Sequence, residues 1–177
     1  GLTGKRSVFA HCVHLEDQEW QCMHDTQSAI AFCPTSNLFL GSGLFPLKKT
    51  WDQQVKVGLG TDIGAGTSFS LLQTVNEAYK VQQLQGDKLS AYESLYHATL
   101  GGAKALDLDD KLGNFNVGKE ADFVVLDLKA TALQQLRQSR AKSIEDSLFA
   151  LFNMGDDRNI EATYIYGQKA YQQNQSI

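Results

Sequence analysis

The sequence lacks the features that mark several large classes of protein. Its 16 Lys and Arg residues, set against 20 Asp and Glu, form no basic cluster, which argues against a nucleic acid as partner. No apolar run approaches the roughly 20 residues of a membrane helix, and the N-terminus lacks the charged-then-apolar pattern of a signal peptide. We therefore expect a cytoplasmic protein that does not contact a membrane.

Cysteine is also scarce and poorly placed for metal binding or cross-linking. The chain has three cysteines, Cys12, Cys22 and Cys33, and no Cys-x-x-Cys pair that could clamp a zinc ion. They are predicted to be reduced thiols. The 177 residues are 42% hydrophobic and 20% charged, which is typical of an ordinary soluble domain with a real core.

The first part of the chain alternates short apolar runs with helical patterns. The predicted strands cover residues 7–11, 29–33 and 55–60, and the predicted helices cover residues 16–25, 69–85 and 91–105. Ser68 is expected to cap the second helix, and residues 35–37 after Pro34 are expected to form a polar loop. Strand-then-helix units favour parallel pairing, so the fold class is α/β.

After residue 106 the pattern changes. Two strands are predicted there, a buried one at 121–126 and another at 160–166 that turns at Gly167, with helical structure at 131–153 between them and a polar tail from Gln172 that is expected to fray. The predicted division is therefore residues 1–106 and residues 107–177, the second containing the C-terminal helices and strands.

Two residues stand where an α/β fold carries its chemistry, at the C-terminal ends of strands. His11 follows the first strand and can exchange a proton near neutral pH, and Asp62 follows the third and can offer a carboxylate to a metal or a water. Each residue type also has a structural interpretation: histidines at strand ends are commonly hydrogen-bonded structural residues, and an Asp before glycines commonly belongs to a turn or cap.

The glycine-rich run at residues 58–66 could suggest a nucleotide site, but it fits no phosphate-binding pattern. It has no Gly-Lys-Ser/Thr, and Ile63 stands where a dinucleotide fingerprint needs its third glycine. The alternative is that Gly64 and Gly66 let the backbone turn sharply past Asp62, so that its carboxylate faces the mouth of a barrel.

These motifs, taken in order and spacing, resemble the last three barrel strands of deaminases in the amidohydrolase superfamily. The matching features are Ala10-His11, the motif Cys33-Pro-Thr-Ser-Asn37, and Gly58-Leu-Gly-Thr-Asp62; residues 98–122 resemble the return into the superfamily's small β-sandwich, and residues 155–160 are similar to guanine deaminases in particular. The resemblance implies the C-terminal portion of a TIM-like (β/α)8 barrel, about three strand-helix units, together with segments of that sandwich.

The resemblance also implies a reaction, in which a zinc-activated water hydrolyses guanine to xanthine and ammonia. Asp62 would contact the zinc and take a proton from the water, and His11 would hydrogen-bond the water or the tetrahedral centre without being a primary ligand. Cys33 to Asn37 would shape the barrel mouth. The intact enzyme would be a homodimer.

The departure from the family is the incomplete metal site. The four histidines, His11, His14, His24 and His97, form no His-x-His pair, and a full barrel takes roughly 250 residues, so this chain supplies one likely zinc ligand and three barrel strands. We expect the isolated chain to be inactive, to bind zinc weakly or not at all, and to pair its exposed sheet edges with something. Another deaminase or chlorohydrolase of the superfamily, and a non-catalytic α/β binding module, remain as alternatives.

Overall fold

The chain builds two three-stranded sheets of different kinds. The computed structural model describes residues 1–173. One sheet is parallel with the order β1-β2-β3, and the other is antiparallel with the order β4-β5-β6. The strands are β1 Val8–Ala10, β2 Ala29–Phe32, β3 Lys56–Leu59, β4 Phe123–Leu126, β5 Ile160–Ile165 and β6 Gln168–Gln172. The three predicted parallel strands and the two predicted C-terminal strands are thus confirmed.

Eight α-helices and one short 3-10 helix accompany the strands in the described residues. The helices are α1 Asp17–Asp25, α2 Pro34–Phe39, α3 Leu47–Asp52, α4 Leu71–Leu84, α5 Ala91–Ala98, α6 Leu100–Ala105, α7 Ala132–Gln138 and α8 Ile144–Met154, and the 3-10 helix is Asp157–Asn159. No helix among residues 1–173 has the length and apolar content that crossing a bilayer requires.

The parallel sheet brings the ends of its three strands to one edge. Ala31 of β2 pairs with Ala10 on one side and with Gly58 on the other. The pairing continues just past the strands, where His11 N donates to Ala31 O at 3.0 Å and Gly60 N donates to Phe32 O at 2.9 Å. Residues that follow β1, β2 and β3 therefore share one rim, where sequence reasoning expects the site.

The core of this half lies between the parallel sheet and its helices. Phe45, in the segment before α3, is fully buried and packs on Phe32 of β2 with 4.7 Å between ring centroids and on Trp20 of α1 with 6.4 Å. Burying an aromatic side chain of this size stabilises the fold by about 1.5–3 kcal/mol. Because Phe45 contacts both a strand and a helix, the irregular segment around it is part of the core.

The predicted polar loop at residues 35–37 was wrong, since these residues lie within α2. Pro34 occupies the first helical turn, where its fixed φ suits a helix and its missing N–H costs nothing. The predicted cap was also wrong. Helix α4 starts after Ser70 instead of Ser68, and the Ser68 hydroxyl oxygen accepts from the Ser70 N–H at 3.0 Å in the turn before the helix.

Two predicted helices are each divided. The helical pattern at 91–105 breaks at Thr99, whose φ of −133° and ψ of −95° are not helical. The break lets α6 lie directly on β3. The two elements are so close that a Cβ added to Gly58 would stand 2.7 Å from Gly102 Cα, and α6 therefore has a different direction from α5. The pattern at 131–153 likewise separates into α7 and α8, each capped by a hydroxyl, that of Thr131 or Ser143.

The predicted strand at 121–126 is shorter and less buried than expected. Strand β4 starts at Phe123, and Val124 is 48% exposed because one face of the antiparallel sheet is open in the part of the chain described. The interpretation of the polar tail falls mostly on residues 174–177, which lie outside the described residues; β6 itself extends to Gln172.

Candidate active site

His11 is placed at the rim by an unusual backbone. It follows β1 directly, and its φ of 68° lies in the left-handed region that non-glycine residues adopt rarely. The next residue, Cys12, has a φ of 50°, and its N–H donates to Ala10 O at 2.9 Å. Two successive left-handed residues turn the chain sharply, so the imidazole remains at the strand end. Such strain is commonly retained at functional positions.

Asp62 is held by the turn that its glycines permit. Its φ is 47°, its carbonyl oxygen accepts from the Gly66 N–H at 2.6 Å, and a Cβ at Gly66 would stand 1.8 Å from Thr61 O. Gly64 has a φ of 124°, which favours glycine. The prediction that these two glycines allow the chain to turn past Asp62 is therefore confirmed.

The two side chains meet across the central strand. Strands β1 and β3 are separated by β2, a spacing of about 10 Å, yet His11 Nε2 lies 3.6 Å from Asp62 Oδ2. Both side chains are about two-fifths exposed, at 41% and 38%. The rim thus brings an imidazole nitrogen and a carboxylate together at an accessible point, which is an arrangement suited to moving a proton to or from a bound water.

Asn37 contacts the opposite nitrogen of His11, and sequence reasoning had assigned it no more than a place in the barrel mouth. It lies in α2, is 1% exposed, and its Oδ1 is 2.8 Å from His11 Nδ1. The two residues are 26 positions apart, so no local spacing links them. The signal available in the sequence was the motif Cys33-Pro-Thr-Ser-Asn37, which follows the middle strand of the three.

Cys33 lies beside the pair at the end of β2. The residue is 3% exposed, and its thiol donates weakly to Ala31 O at 3.4 Å. Burial, reinforced by the Asp62 carboxylate, raises the pKa of the Cys33 thiol to about 11. The side chain is therefore a neutral thiol near pH 7.

The other three histidines are not part of the pair formed by His11 and Asp62. His14 is exposed and one of its ring nitrogens lies 2.8 Å from Ser42 O, and His24 is exposed on α1. His97 is 1% exposed and stacks on Trp51 with 5.8 Å between ring centroids. The structure brings none of these three to the pair.

The rim has donors that suit a metal ion. His11, Cys33 and Asp62 each offer one ligand atom, and these atoms lie within 4.8 Å of one another. Imidazole and carboxylate are zinc ligands, whereas the raised pKa of Cys33 disfavours the thiolate that zinc needs. A catalytic zinc takes three protein ligands and a water, so the residues fit part of such a site.

Comparison with known proteins gives the context of this rim. Residues 1–170 match the model of the amidohydrolase family. Guanine deaminase of Escherichia coli is 64% identical over 98% of this chain and 40% of its own length, and its structure superposes with a TM-score of 0.96. The chain therefore spans about two-fifths of the curated relatives it matches.

Two further solved structures are similar to this chain. A guanine deaminase from C. acetobutylicum with guanine bound in its active site is 30% identical, with a TM-score of 0.83 over 97% of this chain and 41% of that one. An adenosine deaminase from Xanthomonas campestris with bound zinc is 28% identical, with a TM-score of 0.80 over 95% of this chain and 37% of that one.

Proposed function

The chain belongs to the amidohydrolase family, and we propose that it is the C-terminal part of a guanine deaminase. The similarity to the Escherichia coli guanine deaminase, over nearly all of this chain, supports the substrate. The observation that carries the proposal is the convergence of His11 and Asp62, 3.6 Å apart at the rim of the parallel sheet. Both residues lie in residues 1–106, the proposed barrel part, and their convergence supports a role for both side chains in hydrolysis.

The reaction would replace the amino group of guanine by oxygen, with water consumed and ammonia released. Zinc, when bound, supplies an activated water by lowering the pKa of that water toward neutrality. Asp62 would be the residue of this chain that holds the metal, and its carboxylate accepts a proton as the water attacks the amino-bearing carbon. His11 Nε2 hydrogen-bonds the water or the tetrahedral centre, and it exchanges the proton that the leaving ammonia requires.

The isolated chain is expected to lack this activity. Its sequence has no His-x-His pair, and of the donors at the rim the Asp62 carboxylate is the proposed ligand. Since a catalytic zinc needs three protein ligands, zinc would be absent or weakly bound in the chain by itself. The proposal is therefore of a hydrolase whose remaining ligands lie outside these residues.

A segment exchange tests the proposal. The segment of the Escherichia coli guanine deaminase that matches this chain is replaced by the chain itself, and loss of guanine absorbance is followed with zinc supplied. We expect turnover within about tenfold of the parent, since 64% identity preserves the packing between the parts. The same hybrid with Asp62→Asn, a change of similar volume, is the matched inactive control.

The alternatives give different outcomes in the same experiment. A hybrid that folds and binds zinc yet leaves guanine intact would contradict the proposed activity. Assays with a panel of amino heterocycles would then show whether the enzyme is another deaminase, such as an adenosine deaminase, whose similarity to this chain is lower. A chain that folds compactly by itself and complements no partner would favour a non-catalytic α/β binding module.

We further propose a homodimeric parent enzyme located in the cytoplasm. The location is supported by three free thiols, Cys12, Cys22 and Cys33, which a reducing compartment would maintain. The dimer rests on the family resemblance. Sedimentation of the active hybrid would measure its oligomeric state, and a monomer at full activity would remove the dimer from the proposal.

A further inference from the structure

The backbone around Asn37 is fixed from both directions. Its N–H donates to Cys33 O at 3.0 Å, and its carbonyl oxygen accepts from the Ser42 N–H at 2.8 Å. The side chain is 1% exposed, so it has no water to exchange with and few rotamers to choose from. Asn37 is thus a rigid support, held by α2 and by the turn that ends it.

The contact with His11 decides where the imidazole carries its proton. Asn37 Oδ1 is an acceptor, so the neutral ring must donate to it from Nδ1 at 2.8 Å. A neutral imidazole has one N–H, and the lone pair is therefore on Nε2. That nitrogen is the one that lies 3.6 Å from Asp62 Oδ2.

The second polar atom of Asn37 argues against a purely structural role. Its Nδ2 is buried and has no hydrogen-bond partner among the described residues. An unsatisfied buried donor is destabilising, and an apolar side chain of the same shape would avoid that cost. An asparagine at this place is therefore explained better by what its oxygen does to His11 than by the stability of α2.

We propose that Asn37 is a positioning residue, which holds His11 in the Nδ1–H tautomer, so that Nε2 is the nitrogen that takes up a proton and then faces the carboxylate of Asp62. The catalytic consequence rests on the proposed function, because the lone pair on Nε2 is what accepts a proton there. The tautomer itself is a property of this chain, with or without a metal, and can be measured separately.

Nitrogen-15 NMR of the imidazole rings, recorded on the metal-free chain, tests the tautomer directly. At a pH about two units above the ordinary imidazole pKa, we expect His11 to show a protonated Nδ1 and an unprotonated Nε2. The His11→Gln variant assigns the signals by removing them. A protonated Nε2 in the wild-type chain would overturn the proposal, whatever any variant does.

Two substitutions separate the acceptor from the bulk of the side chain. Asn37→Leu keeps the shape and removes the oxygen, so we expect the Nδ1–H signal to give way to the Nε2–H form. Asn37→Asp keeps an acceptor and should retain Nδ1–H. Asn159→Leu is the matched control, since Asn159 is a buried asparagine that contacts Asp127 and Gln134 instead of His11. If Asn159→Leu also lost the Nδ1–H signal of His11, the cause would be general destabilisation, and the specific role of Asn37 would be overturned.

Kinetics of the hybrid enzyme then test the consequence. We expect Asn37→Leu to lower kcat by about 10²-fold, within the range that general acid–base catalysis contributes, with little change in KM and with recovery in Asn37→Asp. An equal kcat in both variants and the wild type would overturn the catalytic part. An inactive wild-type hybrid with the expected NMR result would instead remove the proposed function and leave the tautomer assignment in place.

Discussion

The two sheets differ in how deeply their strands are buried. In the parallel sheet Ile30 and Phe32 are fully buried and Val57 is 5% exposed, whereas every residue of β6 in the antiparallel sheet is exposed. Helices cover β2 and β3, whereas Val8 of β1 is 39% exposed, and the candidate site lies at the C-terminal ends of these strands. The antiparallel sheet has an open face in the part of the chain that the structure describes.

The two regions are joined by helix α8. It packs against α4 and α5, and Phe149 of α8 meets Tyr79 of α4 edge to face with 5.2 Å between ring centroids. Leu72, Val75 and Phe152 form the apolar cluster between them. The candidate site thus lies in the first region, and the second region packs against the first through these helices.

The largest expected effect is the loss of activity on changing Asp62, without a matching loss of stability. We expect Asp62→Ala to lower turnover of the hybrid enzyme by at least about 10³-fold, about 4 kcal/mol of transition-state stabilisation. In the isolated chain the same change should leave the melting temperature nearly unchanged, since Asp62 is partly exposed and no complete metal site depends on it. A strong fall in both the zinc content and the melting temperature of the chain would contradict the incomplete site.

The next prediction compares how much stability is lost when an aromatic side chain is removed from each of the two sheets. We expect Phe32→Ala to lower the free energy of unfolding by about 3–5 kcal/mol, because a fully buried aromatic ring leaves a cavity. The matched change Tyr171→Ala in β6, where the side chain is 48% exposed, should cost less than about 1 kcal/mol. Urea unfolding of both variants measures the difference, and equal costs would refute the contrast.

A third variant probes the polar support of the antiparallel sheet. Asn159 is fully buried; its Nδ2 donates to Asp127 O at 2.6 Å and its Oδ1 accepts from Gln134 Nε2 at 3.1 Å. We expect Asn159→Ala to destabilise the chain by roughly 2–3 kcal/mol, since partners are left buried and unpaired. The activity of the hybrid at a temperature where it is folded should be unchanged, and a loss of turnover would show that the two regions are coupled.

The smallest effect is a dependence of stability on pH. Burial lowers the pKa of His97 below its ordinary value of 6.5, and His97 Nε2 is buried with no hydrogen-bond partner among residues 1–173. Below about pH 6.5 the unfolded chain therefore binds more protons than the folded chain. The free energy of unfolding then decreases as the pH is lowered toward the pKa of His97 in the folded chain, by about 1.4 kcal/mol for each unit between its unfolded and folded pKa values.

Urea unfolding at several pH values between about 8 and 5 would show this decrease. His97→Gln should remove it, whereas His24→Gln, at an exposed histidine on α1, should keep it. A wild-type chain whose stability is the same at both ends of that range would contradict the assignment to His97.

Much of the fold followed from local pattern. The apolar runs predicted β1, β2 and β3, and the helical pattern that begins at residue 91 predicted the start of α5, which Ser90 caps by accepting from the Glu93 N–H. The break at Thr99 could not be predicted in this way, because it serves the contact between Gly102 and Gly58, which are 44 positions apart. Local preference does not register such contacts.

The sequence by itself determined the α/β class, the likeness to a deaminase family, and the choice of His11 and Asp62 as candidate residues. Those conclusions depend on periodicity and on motif order, which are properties of a linear chain. The tertiary structure decided that the two side chains meet over β2 and that Asn37 supports one of them. It did so because left-handed backbone at His11 and Asp62 directs residues from separate strands to one point, and no spacing along the chain encodes that direction.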